Sequence, residues 1–158
     1  MKKLLFATFI ASSLFACKIN TETKPAFDLV KAKKEIEAAN KVLMDVIAKG
    51  DSVGTAASYS SDGAVMFNNM PSVKGTENLI KVWSNFINAG IRNIELTTLE
   101  VWGDNNFLTE EGTFIIKSNE GAQLDKGKYL VLWKKVDGKW KLHRDISNSD
   151  LPAVTGLK

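Results

Sequence analysis

The fold of this chain is decided by residues 127–149, whose sequence is GKYLVLWKKVDGKWKLHRDISNS. Two strand-like runs flank the dipeptide Asp137-Gly138, which is typical of a two-residue hairpin turn because such turns need positive φ at both central residues. A turn of this length would pair Val136 with Lys139 and would fix the partners of every residue beyond them. The segment therefore predicts an antiparallel hairpin with a defined register.

This register would pair Leu132 with His143 and Leu130 with Asp145, and it sorts the side chains of the hairpin onto two faces. One face carries two leucines and the polar candidates: Leu130, Leu132, His143, Asp145 and Ser147. The other face is mostly apolar: Tyr129, Val131, Trp133, Trp140, Leu142, Arg144 and Ile146. We expect the first face to line a pocket. No further long helix is predicted to cover the second face, so we expect a homodimer through it, with curvature of the sheet as the alternative cover.

Upstream of the hairpin, apolar residues spaced by three and four predict helices at residues 28–50, 51–59 and 76–90. Further strands are predicted at 64–68, 94–101 and 107–117, before the hairpin strands at 126–136 and 139–148. The apolar residues of 94–101 change phase midway, so we expect a β-bulge near Thr97 and Thr98. This order predicts an α+β fold, with the helices on one face of a bent antiparallel sheet.

Composition excludes several classes of protein. The chain has 158 residues, of which 44% are hydrophobic and 25% charged, as in ordinary globular domains. A single Cys and a single His rule out a disulfide framework and a Cys/His zinc site. Without Lys2 and Lys3 the 21 basic residues fall to 19, against 18 acidic residues, and no basic run is interleaved with aromatics. We therefore expect no nucleic-acid partner.

The N-terminus predicts an exported protein. It has a basic start and an apolar run, but the stretch free of charge covers only residues 4–16, which is too short to span a bilayer. Residues 14–17, LFAC, resemble a bacterial lipobox, which implies acylation of Cys17 and a lipid anchor in the cell envelope; ordinary signal cleavage is the alternative. The predicted organisation is a signal peptide at 1–16, an acylated Cys and tether at 17–27, a domain at 28–150 and a tail at 151–158.

The hairpin at residues 127–149 resembles the C-terminal hairpin of the SnoaL-like, ketosteroid-isomerase-like family of the nuclear transport factor 2 (NTF2) superfamily. Two upstream pieces, YSSDGAV at 59–65 and VKG at 73–75, resemble shorter motifs of that family. The resemblance covers roughly residues 31–150. It implies a cone-shaped, strongly bent sheet with three N-terminal helices packed on its concave face. Ser147 departs from the family, which more often has Trp there, and this change is expected to enlarge or wet the pocket.

The resemblance leaves the function open, because this superfamily includes isomerases, cyclases, dehydratases, hydrolases and binding domains. When the steroid isomerase of this superfamily is aligned with this chain by the shared turns, its three polar catalytic groups fall near Leu43, Phe67 and Leu130. None of these side chains is polar, so we do not expect steroid isomerisation of that kind. The same placement brings to the pocket wall Trp83, His143, Asp145 and Ser147.

Two function classes stay open. The first is a membrane-anchored protein that binds a small apolar or amphipathic molecule in a pocket. The predicted lining is Phe67, Trp83, Leu130, Leu132 and Ser147. The second is a cofactor-independent enzyme for proton transfer, hydration, dehydration or cyclisation, with His143 as the base and Asp145 as its orienter. For these two residues a buried, purely structural pair is the alternative, and for Trp83 it is plain core packing.

The remaining motifs argue against other chemistry. One His beside one Asp makes a poor metal site, and the sequence has neither a Gly-rich phosphate loop nor a nucleophile elbow. We therefore expect no metal and no cofactor. Glu110 and Glu111 are adjacent on a predicted strand and should point to opposite faces, so they do not form a catalytic pair.

Overall fold

A computed structural model describes residues 27–152 of the chain. The elements of this part, in chain order, are α1 (Leu29–Ala48), α2 (Ser52–Ala57), β1 (Tyr59–Met66), β2 (Val73–Lys74), α3 (Thr76–Asn88), β3 (Asn93–Gly103), β4 (Phe107–Lys117), β5 (Gln123–Val136) and β6 (Lys139–Ser149). The three predicted helices and the five predicted strands are present, although β1 begins at Tyr59, well before the predicted start at residue 64. The two-residue strand β2 was not predicted.

Local capping signals explain where two of the helices begin. The Asp28 side chain accepts a hydrogen bond from the backbone N–H of Lys31 at 2.9 Å, and Asp51 does the same for Gly54 at 2.8 Å. Such caps satisfy backbone donors that a helix start leaves without partners. Helix α1 then turns one stripe of side chains to the sheet, comprising Ala32, Ile36, Asn40, Leu43 and Ile47.

The sheet has the strand order β2-β1-β6-β5-β4-β3 and is mixed. Strand β1 pairs with β6 in parallel, whereas the other neighbours are antiparallel. The prediction of a wholly antiparallel sheet is wrong at this one pairing. Strands β1 and β6 are separated along the chain by most of the domain, from β2 to β5. No tight turn connects them, so nothing local requires an antiparallel arrangement.

The predicted hairpin turn is confirmed. Asp137 and Gly138 have φ values of 49° and 77°, and Val136 pairs with Lys139. The bulge expected in β3 is also present, one to two residues further along than predicted, between Thr98 and Glu100.

A second bulge, in β6, overturns the predicted register of the hairpin. Trp133 pairs with Leu142 as expected, but Leu132 pairs with Arg144, so His143 is the extra residue. Beyond it every partner shifts by one, and Leu130 faces Ile146 instead of Asp145. Successive side chains of a strand point to opposite faces, so this one extra residue places every later residue of β6 on the face opposite to the predicted one.

The predicted division of the hairpin into two faces is therefore wrong. The Trp133 side chain is 1% exposed. Other large side chains of the second face, for which a covering subunit was expected, are buried in the same core: Tyr129, Val131, Trp140 and Leu142. Leu130 and Ile146 lie instead on the outer face, 45% and 41% exposed. Most of the residues from which a homodimer was inferred are thus buried in the core between the sheet and the helices, and the homodimer itself stays a prediction.

Among residues 27–152, no helix has the length and apolar character needed to cross a bilayer. The predicted signal peptide, the acylation of Cys17 and most of the tether fall outside the described residues, as does most of the predicted tail.

Candidate functional site

A cavity of about 330 Å³ lies between the helices and the concave face of the sheet. Its wall is mainly apolar and includes Leu43, Ile47, Phe67, Phe86, Phe114 and Val131. The alternation of β4, β5 and β6 sends every second side chain toward this space. A mostly apolar concavity with a few placed polar groups is the usual form of a small-molecule site.

Asp145 provides a carboxyl group in the cavity wall. The bulge at His143 turns Asp145 inward, where its Oδ2 accepts a 2.7 Å hydrogen bond from the Tyr59 hydroxyl. Burial raises the pKa of Asp145 to about 6, while the hydrogen bond from Tyr59 opposes this rise. Burial also raises the pKa of Tyr59 well above its usual value, with the charge of Asp145 adding to the rise and the nearby Trp83 indole opposing it. The phenol therefore stays a donor.

Trp83 also lines the cavity, although its indole nitrogen is fully buried. Its side chain is 5% exposed, and Nε1 has no hydrogen-bond partner among the described residues. The ring is held edge-on against Phe67 and Phe86, with centroid separations of 5.7 and 6.0 Å. A buried donor without a partner is uncommon in folded proteins.

Glu110 forms the centre of a second polar cluster, beneath the cavity. This fully buried carboxylate accepts hydrogen bonds at Oε1 from Asn40 (2.7 Å), Thr98 (2.6 Å) and Tyr129 (2.8 Å), and at Oε2 from Trp133 (2.8 Å). Burial, followed by the charge of Glu110, raises the pKa of Tyr129 far above its usual value. Four donors satisfy the carboxylate, so the cluster serves to hold α1, β3, β4 and β5 together.

Sequence reasoning missed this role of Glu110. The expectation that Glu110 and Glu111 face opposite sides is confirmed, since Glu110 is buried and Glu111 is exposed. The strand pattern contained a usable signal, because Glu110 lies two residues after Leu108 and four before Phe114, so its side chain points to the same face as these apolar residues. Gly112 lies in the same phase, and a Cβ there would overlap the Tyr129 ring that donates to Glu110.

The structure separates the residues predicted for the site. Four of them line the cavity: Phe67, Trp83, Asp145 and Ser147. Leu130 is exposed on the outer face, and Leu132 pairs with Arg144 beside it, so neither lines the cavity. The predicted pairing of these two leucines with the polar side chains fails because the bulge shifts the register.

His143 is likewise outside the cavity. Its Nδ1 lies 3.0 Å from Ser60 Oγ and 3.4 Å from Asp62 Oδ1, and its ring lies beside Phe107 on the outer face. Burial and the neighbouring Arg144 lower the pKa of His143. The structure therefore does not bring His143 and Asp145 together as a base and its orienter.

Within residues 27–152, no group of three or more His, Cys, Asp or Glu side chains is placed to hold a metal ion. The charged side chains that line the cavity are those of Asp125 and Asp145, both acidic. At one carboxylate oxygen, Asp125 accepts hydrogen bonds from Ser149 Oγ and from the backbone N–H of Lys126. Uncharged polar side chains also line the cavity, among them Asn68 and Ser147.

No protein-family model and no curated protein matches this chain in sequence. Solved structures do match it in fold. A ketosteroid isomerase-like protein from Erwinia carotovora atroseptica has a TM-score of 0.63 and 19% identity over 75% of this chain and 96% of that one. An NTF2-like protein of unknown function from Shewanella oneidensis MR-1 has a TM-score of 0.63 and 16% identity over 73% and 98%.

A third similar structure, of a protein from Catenulispora acidiphila in complex with S-DNPA, has a TM-score of 0.69 and 12% identity over 77% of this chain and 95% of that one. These likenesses confirm the fold that the hairpin implied. The chain has the α+β fold shared by ketosteroid isomerase-like and NTF2-like proteins.

Proposed function

We propose that this domain binds a small amphipathic molecule in the cavity between its helices and its sheet. The observation that carries the proposal is the form of the cavity: about 330 Å³ of mostly apolar wall that includes the polar side chains of Asp145 and Ser147. Apolar burial would supply most of the affinity, and the polar groups would fix the orientation of the molecule. The similar fold seen in complex with S-DNPA supports this proposal by showing that a protein of this architecture can hold a small molecule.

Mass spectrometry of the protein purified without denaturation tests the proposal. A small molecule retained in a fixed ratio to the protein, and released on unfolding, is the expected result. Protein that carries no molecule and binds none from a broad library of amphipathic compounds would contradict it.

A second candidate function is cofactor-independent proton transfer with Asp145, instead of His143, as the base. The raised pKa of Asp145, about 6, favours it, because a carboxyl with such a pKa in an apolar cavity can accept a proton near neutral pH. Activity found in a substrate screen should rise with pH through about 6 and should be lost in Asp145→Asn. Activity that survives this substitution would exclude Asp145 as the base.

The lipid anchor is proposed from residues 14–17 alone. If Cys17 is acylated and becomes the first residue, a polar linker of about ten residues would connect the domain to the membrane surface. Intact mass of the protein from its host, with acyl chains on Cys17, is the expected result. Another first residue or an unmodified Cys17 would refute the anchor.

A homodimer is proposed through the outer face of the sheet. Its candidate contacts are the apolar side chains exposed there, Leu130 and Ile146, in place of the buried tryptophans. Light scattering at tens of micromolar protein should give twice the chain mass, since an interface with a Kd of about 1 μM would be formed at that concentration. Ile146→Glu should return the protein to the monomer, and a monomeric wild type would remove the proposal.

A further inference from the structure

One oxygen of the Asp145 carboxylate is accessible from the cavity. The Tyr59 hydroxyl bonds to Oδ2, and no described donor bonds to Oδ1. Oδ1 is not a buried atom either, because Trp83 Nε1 is the one fully buried side-chain polar atom without a partner among the described residues. Since Asp145 lines the cavity, a molecule bound there can reach this oxygen.

Asp145 has no basic partner in the described part of the chain. None of the ion pairs formed by residues 27–152 includes it. The described lining of the cavity contains no Lys, Arg or His, and its other charged side chain, Asp125, is also acidic. Above its pKa of about 6, Asp145 is therefore a carboxylate in a mostly apolar wall without a counter-ion.

A second carboxylate lies in the same row of the sheet. Glu110 pairs with Val131 on β5, and Val131 pairs with Asp145 on β6. Residues paired in this way share a face of the sheet, so Glu110 and Asp145 lie on either side of Val131 on the concave face. The four side chains that donate to Glu110 are all uncharged. This negative charge beneath the cavity is thus hydrogen-bonded but not neutralised.

These charges separate the classes of ligand. An anionic group in the cavity would be repelled by the two acids and would also have to lose its water. An uncharged ligand would leave the Asp145 carboxylate without a counter-ion. An ammonium group would supply that counter-ion and a charge-assisted hydrogen bond to Oδ1. The Asn68 and Ser147 side chains each offer a donor and an acceptor, so they accept any of the three classes and do not set the charge.

We propose that the molecule bound in this cavity is an organic amine with an apolar body, whose ammonium group pairs with the Asp145 carboxylate. The inference rests on the proposed binding function and specifies the chemical class of its ligand. The apolar wall would hold the body of the molecule, and the acid would select the charge of its polar end.

Titration calorimetry of the purified protein at pH 7.5 tests this inference with three probes of one apolar body. The probes are 2-naphthylmethylammonium, 2-naphthalenemethanol and 2-naphthoate, which differ in the charge of the polar end. We expect the ammonium to bind about 10-fold more tightly than the alcohol, which is the gain from one charge-assisted hydrogen bond. The carboxylate should bind most weakly.

Two variants test whether Asp145 sets this preference. Asp145→Asn removes the charge and keeps an acceptor for the Tyr59 hydroxyl, so the ammonium should lose its advantage over the alcohol. Glu111→Gln removes one negative charge from the exposed outer face and should keep the advantage. A preference for the ammonium that is retained in Asp145→Asn would overturn the assignment.

The pH dependence of wild type tests the same pair without a substitution. Between pH 7.5 and pH 5 Asp145 takes up a proton, whereas the alkylammonium probe stays charged and the hydroxyls of Tyr59 and Tyr129, whose pKa values are raised, stay protonated. The affinity for the ammonium should fall about 10-fold over this range, because only the ionised carboxylate pairs with it. The affinity for the alcohol should stay level. Equal pH profiles for the two probes would contradict the inference.

Failure of this inference is distinguishable from failure of the binding function. An alcohol or a carboxylate that binds wild type as tightly as the ammonium would overturn the amine and leave the binding function intact. If none of the three probes binds, a library of amphipathic compounds decides: amines among the binders support the inference, and only neutral or anionic binders overturn it. If no compound binds at all, the proposed function fails and the inference fails with it.

Discussion

Tyr59 and Asp145 are 86 positions apart, yet the Tyr59 hydroxyl donates a 2.7 Å hydrogen bond to the Asp145 carboxylate. The bond crosses the parallel pairing of β1 and β6, in which Tyr59 lies opposite Leu142 and Val65 opposite Asp145. The strand register shifts between these two pairs, so the contact depends on irregularities in both strands. It fixes a carboxyl group in the wall of an apolar cavity.

The stability of the protein should depend on pH through Asp145. The folded protein holds this proton up to a pKa of about 6, whereas an unfolded Asp releases it near ~3.9, so the folded state binds more protons between these values. The free energy of unfolding should therefore fall as pH rises from about 4 to about 6, by up to about 3 kcal/mol. Urea unfolding of wild type and Asp145→Asn across this range measures it. Parallel pH profiles for the two proteins would contradict the assignment.

Removing the Tyr59 hydroxyl should raise the pKa of Asp145 further. The hydrogen bond from Tyr59 lowers this pKa, so Tyr59→Phe should move the carboxyl titration above pH 6 and cost about 1 to 3 kcal/mol of stability at pH 7. Carbon-detected NMR of the Asp145 carboxyl reports the titration directly. An unchanged or lower pKa in the variant would show that the bond does not form in solution.

Glu110 should be far less tolerant of substitution than its neighbour. In Glu110→Gln the amide NH₂ meets one of the four donors that the carboxylate now satisfies, so we expect a loss of about 1 to 3 kcal/mol. Glu111→Gln on the exposed face is the matched control and should change stability by about 0.5 kcal/mol at most. Equal urea midpoints for the two variants would refute the buried network.

His143→Gln should leave the cavity unaffected. The imidazole bonds to Ser60 and lies near Asp62 on the outer face, away from the cavity lining. We expect the variant to retain any copurifying molecule and to keep the pKa of Asp145 near 6. A clear loss of ligand with an intact fold would restore the His-Asp pair as a candidate site.

The parts of the fold that sequence predicted have local causes. The cap at Asp28 and the Asp137-Gly138 turn each depend on residues within a few positions, and both are present. The parallel pairing of β1 with β6 joins segments about 80 positions apart and leaves no local pattern. It could not be predicted from periodicity.

The candidate site was predicted only in part, for a related reason. Phe67, Trp83, Asp145 and Ser147 line the cavity, but the bulge at His143 has no residue pattern of its own and shows itself only in the pairing of two strands. Counting outward from the turn therefore assigned Leu130 and Leu132 to the wrong face. The hydrogen bond from Tyr59 to Asp145 was missed because it depends on that same shift.

The most direct test of the binding function compares two insertions of the same residue on β6. Ser147→Trp adds an indole inside the cavity, whereas Ile146→Trp adds it on the exposed outer face one residue earlier. In native mass spectrometry, wild type and Ile146→Trp should carry the same small molecule in the same proportion, and Ser147→Trp should carry none while staying folded. Equal retention by a folded Ser147→Trp would show that the molecule binds elsewhere and would contradict the account.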